Sequence, residues 1–454
     1  MYRKVLIANR GEIALRVLRA CRELGIPAVV AYSEADRESL PVRLADEAIC
    51  IGPAPAERSY NHIPAIISAA VVTGCDALHP GYGFLAENPL LAEICAECGI
   101  RFIGPPAQVL SALGDKAEAR RLMRQAGVPI MPGSEEPVHD AGEARAIARK
   151  IGYPLLVKAA AGGGGRGMRI VYREAELAQA LSLAQQEAQA AFGDSTVYLE
   201  RYLERPRHVE VQILADQHGR VLALGERDCS IQRRYQKLIE EAPAPNLPSK
   251  VREALRKAAV RGAKAVGYVG AGTFEFLLDQ DGHFYFTEAN ARIQVEHPVT
   301  EMVTGIDLVQ WQLLIAAGER LTPPDPVHTQ GHAIEVRITA EDPTSQFAPR
   351  VGRIAELHFP GGPGIRVDTH LYQGYAVPPH YDSLLAKIIA WAPDRQQALD
   401  RLDRALRETI ITGVPTPIPL YRRLLRDPDF RAGHHSTVFL QEFLDREADL
   451  APSP

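Results

Sequence analysis

The sequence carries no excess of charge of either sign. Its 51 Lys and Arg stand against 56 Asp and Glu, a formal net charge of -5, so no overall basic field is present to draw nucleic acid. It has no apolar run of membrane length either. The opening MYRKVLIANRGEIA meets charge too soon to be a signal h-region or a span. Cysteine is scarce, 6 in 454 residues, which excludes a disulfide scaffold and predicts a reducing, cytoplasmic setting. Cys95-Ala96-Glu97-Cys98 has the C-x-x-C spacing, but no second pair or histidine set completes a zinc site, so it is predicted to be part of a helix. Also missing is a G-x-G-x-x-G after the first strand. The turn there reads Asn9-Arg10-Gly11-Glu12, which weighs against a dinucleotide-dependent dehydrogenase.

What is present is an ordinary globular composition, 46% hydrophobic and 24% charged, long enough for roughly three domains of about 150 residues. From Lys4 a strand, helix, strand order runs through KVLIA, the helical spacing of Ile13, Val17, Cys21 and Leu24, then AVVAYS, CDALHP and IRFIGP. That order predicts a doubly wound parallel sheet over residues 1–113. HPGYGF and IGPP follow strands, where such sheets place ligand loops, although plain turn chemistry explains them as well. Helical DKAEARRLMRQAG opens with Asp115 as N-cap, and a proline-rich linker follows. The segments TVYLERYL, RHVEVQILAD, RVLALGE, GTFEFLLD and FYFTEAN alternate apolar and polar residues, predicting half-buried antiparallel strands in one second sheet over about 196–290. A third region, about 331–446, runs from HAIEVRITAED to helical RQQALDRLDRALRETI.

Between strands YPLLVKA and MRIVY lies KAAAGGGGRGM, predicted to be the tip of a hairpin. It is not a G-x-x-x-x-G-K-[ST] loop, because Lys158 precedes the glycines and a strand follows them. Two readings stay open from these residues alone. The glycines can bring backbone N–H groups onto an oxyanion while Lys158 and Arg166 supply charge, or they form a solvated loop. Glu275 and Glu288 are carboxylates on strongly apolar strands, where an unpaired charge is costly, so something cationic should meet them. With Asn290, two residues on from Glu288, they offer three oxygens to a hard cation such as Mg2+, and salt bridging to arginines is the competing reading. Arg292, Gln294 and Glu296 continue the alternation and, if the chain stays extended, point into the same site. Arg227, Arg233, Arg234 and Lys237 form a basic cluster in RDCSIQRRYQK, either a solvated face or the positive charge that phosphoryl transfer requires.

Together IANRGEIALRVLRACRELGI, HPGYGFLAEN, AGGGGRGM, PRHVEVQILAD, ERDCSIQRR, GAGTFEF, RIQVEHPVTEM and PPHYDSLLAK resemble the biotin carboxylase family of ATP-grasp enzymes over almost the whole chain. The resemblance implies an α/β and α+β multidomain fold. Residues 1–113 would be the Rossmann-like N-terminal domain, 114–330 the ATP-grasp domain with a mobile glycine-rich lid at about 131–203, and 331–446 the C-terminal domain. It implies ATP-dependent carboxylation of biotin by bicarbonate through carboxyphosphate, with ATP and Mg2+ or Mn2+ as cofactors. Lys116, Lys158, Gly164, Gly165, Met168, Glu200, Arg201, Tyr202, Leu203, His208, Gln232, Tyr235, Glu275, Leu277 and Glu288 match the nucleotide site. Glu275, Glu288 and Asn290 match the metal ligands.

By the same resemblance Lys237, Arg292, Gln294 and Val295 match the bicarbonate pocket, Glu296 the base that deprotonates bicarbonate, and Arg337 an arginine at the biotin and phosphate end. Lys237, Arg292 and Glu296 are the catalytic set. Arg16, Arg19, Glu23 and Arg366 match a homodimer interface. The chain has no Met-Lys-Met carrier sequence, so the expected partners are a separate biotin carboxyl carrier protein and carboxyltransferase subunits of an acetyl-CoA or other acyl-CoA carboxylase. Three places depart from the family pattern. Tyr235 stands for His or Asn, Ala289 for a larger residue, and VPTPIPL at 414–420 lacks a Thr-Asn, its prolines expected to break any helix there.

Overall fold

The computed structural model describes residues 2–134, 136–159, 168–192 and 194–450. The tip of the glycine hairpin, with Gly164, Gly165 and Arg166, lies outside them. Near the N-terminus five strands, β1 (Val5–Ile7), β2 (Ala28–Ser33), β3 (Glu47–Gly52), β4 (Ala77–His79) and β5 (Arg101–Phe102), form an all-parallel sheet in the order β3-β2-β1-β4-β5. The strand order reverses at β1, and the first two crossing points place the Asn9 turn and the 80–87 loop at the same carboxyl edge. Asn9 Nδ2 ties the two together, donating to the carbonyls of Pro80 and Tyr82 at 2.7 and 2.8 Å. Gly81, at φ +65, faces that amide so closely that a Cβ would stand 2.8 Å from Nδ2, so turn chemistry accounts for this glycine.

The hairpin predicted around the glycine run is found, β6 (Leu155–Ala159) pairing antiparallel with β7 (Met168–Val171), Lys158 opposite Met168. Its other neighbour is β8 (Val197–Arg201), giving the order β7-β6-β8. This corrects the expectation that TVYLERYL joins the second sheet. Helices Ala141–Ile151 and Glu174–Phe192 cover this small sheet, and Val138, Leu155, Val157, Leu177 and Leu199 form a core of their own. The helix Lys116–Gln125 begins where expected, with Asp115 accepting from the N–H groups of Ala117 and Glu118.

The second sheet is larger than the alternation implied. It comprises β9 (Arg207–Ala215), β10 (Val221–Arg233), β11 (Gln236–Ala242), β12 (Gly270–Leu278), β13 (Phe284–Asn290) and β14 (His332–Thr339), in the order β13-β12-β9-β10-β11-β14, and continues through strands Leu384–Ala392 and Ile365–Thr369. Nor are its strands half-buried. β9, β10 and β12 are buried along most of their length on both faces, because apolar clusters lie on either side of the sheet. The polar members of the alternation are therefore interior groups that must find partners. The proline stretch is a further correction. A helix, Ile418–Leu424, starts inside it, capped at Pro417 with Pro419 in the first turn, where a missing N–H costs nothing.

Candidate active site

One register row runs across the large sheet. Glu210 on β9 lies opposite Arg227 on β10 and opposite Glu275 on β12, and Glu275 lies opposite Glu288 on β13. Directly opposed residues share a face, and like charges so placed repel unless a cation intervenes. Lys237 of β11 supplies one. Its Nζ is 2.6 Å from Glu210 Oε2, 3.1 Å from Glu275 Oε1 and 2.6 Å from Glu296 Oε1. His208 Nε2 reaches Glu275 Oε2 at 2.8 Å. The expectation that a cation meets Glu275 is therefore met by a lysine and an imidazole.

Burial presses the Lys237 pKa down, but Glu210, Glu275 and Glu296 outweigh it and hold the ammonium charged well above its usual range. Burial raises the Glu275 carboxyl, and Lys237 and His208 more than reverse that. Glu296 is held low in the same way, by Lys237, Arg337 and Arg227. Glu288 goes the other way, pushed up by burial and then by the Glu275 charge. Lys116, His208 and Lys237 pull against that rise, and the residue itself is exposed.

Arg292, Gln294 and Glu296 do converge, but not as an extended strand. β13 ends at Asn290, and the chain turns through 291–296 before the helix His297–Thr304, which Glu296 caps. Gln294 Nε2 donates to Glu275 Oε1 at 2.8 Å, and Arg292 Nη2 to Asn290 Oδ1 at 2.8 Å. Asn290 Nδ2 in turn donates to Glu275 Oε1 at 2.8 Å. Arg337 joins from β14, donating to Glu240 Oε1 at 2.6 Å and Glu296 Oε2 at 3.0 Å. The predicted basic cluster separates. Arg227 is wholly buried, binding Glu210, Gln212, Thr273, Gln294 and Thr300, while Arg233 donates to the Gln346 carbonyl at 2.8 Å. Arg234 and Tyr235 form the exposed turn between β10 and β11.

On the lid side Lys158 Nζ lies 2.5 Å from Glu200 Oε1, and Arg120 pairs with the same oxygen. Burial, then Arg120 and Lys116, press Lys158 down to about 7. An added polyanion would oppose that shift. Met168 opens β7 opposite Lys158, Arg201 closes β8, and the Tyr202 N–H donates to the Pro154 carbonyl, which leaves Leu203 in the connection to β9. Gln232 is opposite Lys237 and Leu277 opposite His208, so both border the charged row.

Two contributors were missed in the sequence. Glu210 sits in HVEVQ between His208 and Gln212, the same polar alternation on an apolar strand that singled out Glu275. Glu87, in HPGYGFLAEN, holds Arg292 Nε at 2.8 Å and accepts from the Ala291 N–H. No local pattern marks it, because its partners are about two hundred residues away.

Three family matches cover the chain. Residues 1–110 match the biotin carboxylase N-terminal domain, 115–323 the carbamoyl-phosphate synthase L chain ATP-binding domain, and 335–442 the biotin carboxylase C-terminal domain. Biotin carboxylase of a Nostoc species is 56% identical over 97% of this chain and 98% of its own. One of the pyruvate carboxylase subunits of Methanothermobacter thermautotrophicus is 53% identical over 98% and 90%. Among solved structures, the biotin carboxylase domain dimer of Hydrogenobacter thermophilus 2-oxoglutarate carboxylase, in complex with MgADP, ADP and bicarbonate, superposes with a TM-score of 0.90 at 50% identity, covering 98% of each chain. With an ATP-binding domain set between two biotin carboxylase domains, and relatives more than half identical along nearly its full length, the chain belongs to the biotin carboxylase family.

Proposed function

We propose that this protein carboxylates biotin on a separate carrier protein, consuming ATP and bicarbonate and releasing ADP and phosphate. The observation that carries this reading is the convergence of Glu210, Glu275 and Glu296 on the Lys237 ammonium, with Gln294 on the same carboxylate row and Arg337 on Glu296. The three segments 1–113, 114–330 and 331–446 are read as the N-terminal, ATP-grasp and C-terminal domains, acting in a cytoplasmic complex.

Lys237 and Arg292 hold the bicarbonate charge, with Gln294 and the Val295 backbone fixing its orientation. Glu296 accepts the bicarbonate proton. As it stands that carboxylate is held low by Lys237, Arg337 and Arg227, so it gains proton affinity only as Lys237 turns toward bicarbonate. The freed bicarbonate oxygen bonds to the γ-phosphorus as the bond to the ADP oxygen breaks. The resulting carboxyphosphate divides into CO2 and phosphate, phosphate takes the ureido proton of biotin, and the nitrogen bonds to CO2. Arg292, anchored by Glu87, stabilises the enolate form of biotin, and Arg337 serves the phosphate end.

The donor set suits a hard divalent cation. Glu275 and Glu288 are opposed carboxylates, burial and then the Glu275 charge raise Glu288, and Asn290, whose Nδ2 faces Glu275 and whose oxygen faces Arg292, would turn its amide over to add an oxygen. These residues would hold Mg2+ or Mn2+, which supplies charge neutralisation on the nucleotide phosphates. Lys116, Lys158, Gly164 and Gly165 would face those phosphates, and Met168, Glu200 through Leu203, His208, Gln232, Tyr235 and Leu277 would complete the nucleotide site.

The leading acceptor is acetyl-CoA or another acyl-CoA. The similarity to part of a pyruvate carboxylase and to a 2-oxoglutarate carboxylase domain favours a second reading, a 2-oxo acid acceptor. In either case the carboxyltransferase partner makes the choice. Purified protein with MgATP, bicarbonate and free biotin should release ADP in a manner dependent on both co-substrates. Absence of that dependence would leave a nucleotide-binding protein without turnover. Glu296→Ala should abolish bicarbonate-dependent turnover with nucleotide affinity retained, and a loss of nucleotide affinity would count against its role as base.

A further inference from the structure

The turn Gln294-Val295-Glu296 belongs to no strand and precedes the helix His297–Thr304, yet two buried side chains pin its carbonyl groups. His297 Nδ1 lies 2.8 Å from the Gln294 carbonyl oxygen. A carbonyl only accepts, so Nδ1 carries the hydrogen. Lys387 Nζ donates to the Val295 carbonyl oxygen at 2.9 Å. In a planar trans peptide the C=O and the following N–H point in opposite directions. Fixing the Gln294 oxygen therefore aims the Val295 N–H away from His297, and fixing the Val295 oxygen aims the Glu296 N–H away from Lys387. Neither N–H has a protein acceptor among the described residues.

Both pinning groups are wholly buried. Lys387 stands on the strand Leu384–Ala392, opposite Arg337 on one side and Asp368 on the other. Its Nζ is 3.1 Å from Glu12 Oε1 and 3.8 Å from Asp368 Oδ2, so it reaches the turn from a fixed ionic seat. Burial, then the cations Lys387, Arg16 and Arg366, keep His297 neutral, as a ring donating through one nitrogen should be.

We propose that Lys387 and His297 are positioning residues that fix the two peptide planes of the 294–296 turn, so that the Val295 and Glu296 N–H groups are both presented to bicarbonate. Backbone N–H groups held in place in this way are donors that need no reorganisation when the anion arrives. The inference rests on the bicarbonate pocket proposed above, and it adds to that pocket the groups that shape it.

The test is steady-state kinetics of ADP release by the intact protein, varying bicarbonate and ATP separately. Lys387→Met keeps the length of the side chain and removes the donor. Lys387→Met/Glu12→Gln removes the stranded carboxylate as well, should the single variant fold poorly. His297→Leu removes the second donor, and His297→Asn offers an amide N–H near the place of Nδ1. We expect Lys387→Met and His297→Leu each to raise the KM for bicarbonate about tenfold, the scale of one hydrogen bond to a charged group. The KM for ATP should stay within about twofold, and His297→Asn should recover most of the loss. A KM for ATP rising in step, or a bicarbonate KM unchanged in folded variants, would overturn the positioning role. Glu296→Gln, measured alongside, separates the two levels. If it leaves bicarbonate dependence untouched, the pocket assignment itself falls.

Discussion

A buried carboxylate is a stability statement as much as a chemical one. Glu335 on β14 is completely buried, neither oxygen has a hydrogen-bond partner among the described residues, and Glu240 stands directly opposite on β11. Burial first, and then the Glu240 charge, push its pKa well above the usual carboxylate range, although Lys387 and Arg337 pull against them. A glutamate raised on folding binds its proton more tightly in the folded state. The stability it contributes is therefore largest below the unfolded pKa and is lost as pH rises from there toward the folded value. Glu335→Gln should accordingly unfold at higher denaturant than wild type at pH 8, with the gap narrowing by pH 5. Equal midpoints at both values would refute it. The same reasoning explains which site residues could be read from the sequence. Glu275 was recognisable because a charge on an apolar strand demands a partner, while Glu288, which carries the same pattern, stands exposed. Glu210 carried that signal and was passed over, whereas Glu87 and Lys387 carry none, since what they hold lies elsewhere in the chain.

At the scale of elements, the turn joining β10 to β11 is held against the preference of its residues. Arg233 pairs with Gln236, so Arg234 and Tyr235 alone make the loop, at φ +48 and +67. Two central residues at positive φ in a hairpin favour Asn and Gly, and an aromatic side chain there is strained. Tyr235 is also largely exposed, at 70%, and recovers little by burial. Tyr235→Asn should raise stability by about 1 kcal/mol in urea unfolding. If Tyr235 reaches the nucleotide as proposed, the KM for ATP should shift while the KM for bicarbonate holds. The lid marks the limit of element-level reading. Its hairpin followed from two apolar strands around a glycine run, but alternation alone put β8 in the second sheet, although the lid bounds implied by the resemblance, about 131–203, include it. Alternation reports that a strand has faces, not which neighbour it pairs with, and only the separate core of Val138, Leu155, Leu177 and Leu199 decides that. The helix at Ile418 shows a similar limit, since a proline forbids a helix interior but suits a helix start.

Over the whole molecule, one chain of buried charges joins segments far apart in sequence. Arg16, on the helix Gly11–Glu23, reaches Glu301 Oε1 at 2.9 Å and Asp307 Oδ1 at 2.6 Å. Arg366 reaches Glu301 Oε2 at 2.7 Å and Asp368 Oδ2 at 2.7 Å. Asp368 faces Lys387, whose ammonium returns to Glu12 and to the Val295 carbonyl. The helix Gly11–Glu23, the turn beside Lys237 and the strands Ile365–Thr369 and Leu384–Ala392 are thereby fastened at one point, which holds the proposed bicarbonate pocket to the framework rather than to a loop. Four residues implied for a homodimer interface consequently divide in two. Arg16 and Arg366 are engaged within their own chain, whereas Arg19 is exposed and Glu23 accepts from Gln310 Nε2 at the surface. Arg16→Ala should cost about 2 kcal/mol of stability, because Glu301 keeps Arg366 but loses one buried cation. Arg19→Glu should leave the unfolding midpoint near wild type and, if the exposed part of this helix face meets a second copy, shift sedimentation toward the monomer. A large loss of stability in Arg19→Glu, or none in Arg16→Ala, would reverse this division of structural and interface roles.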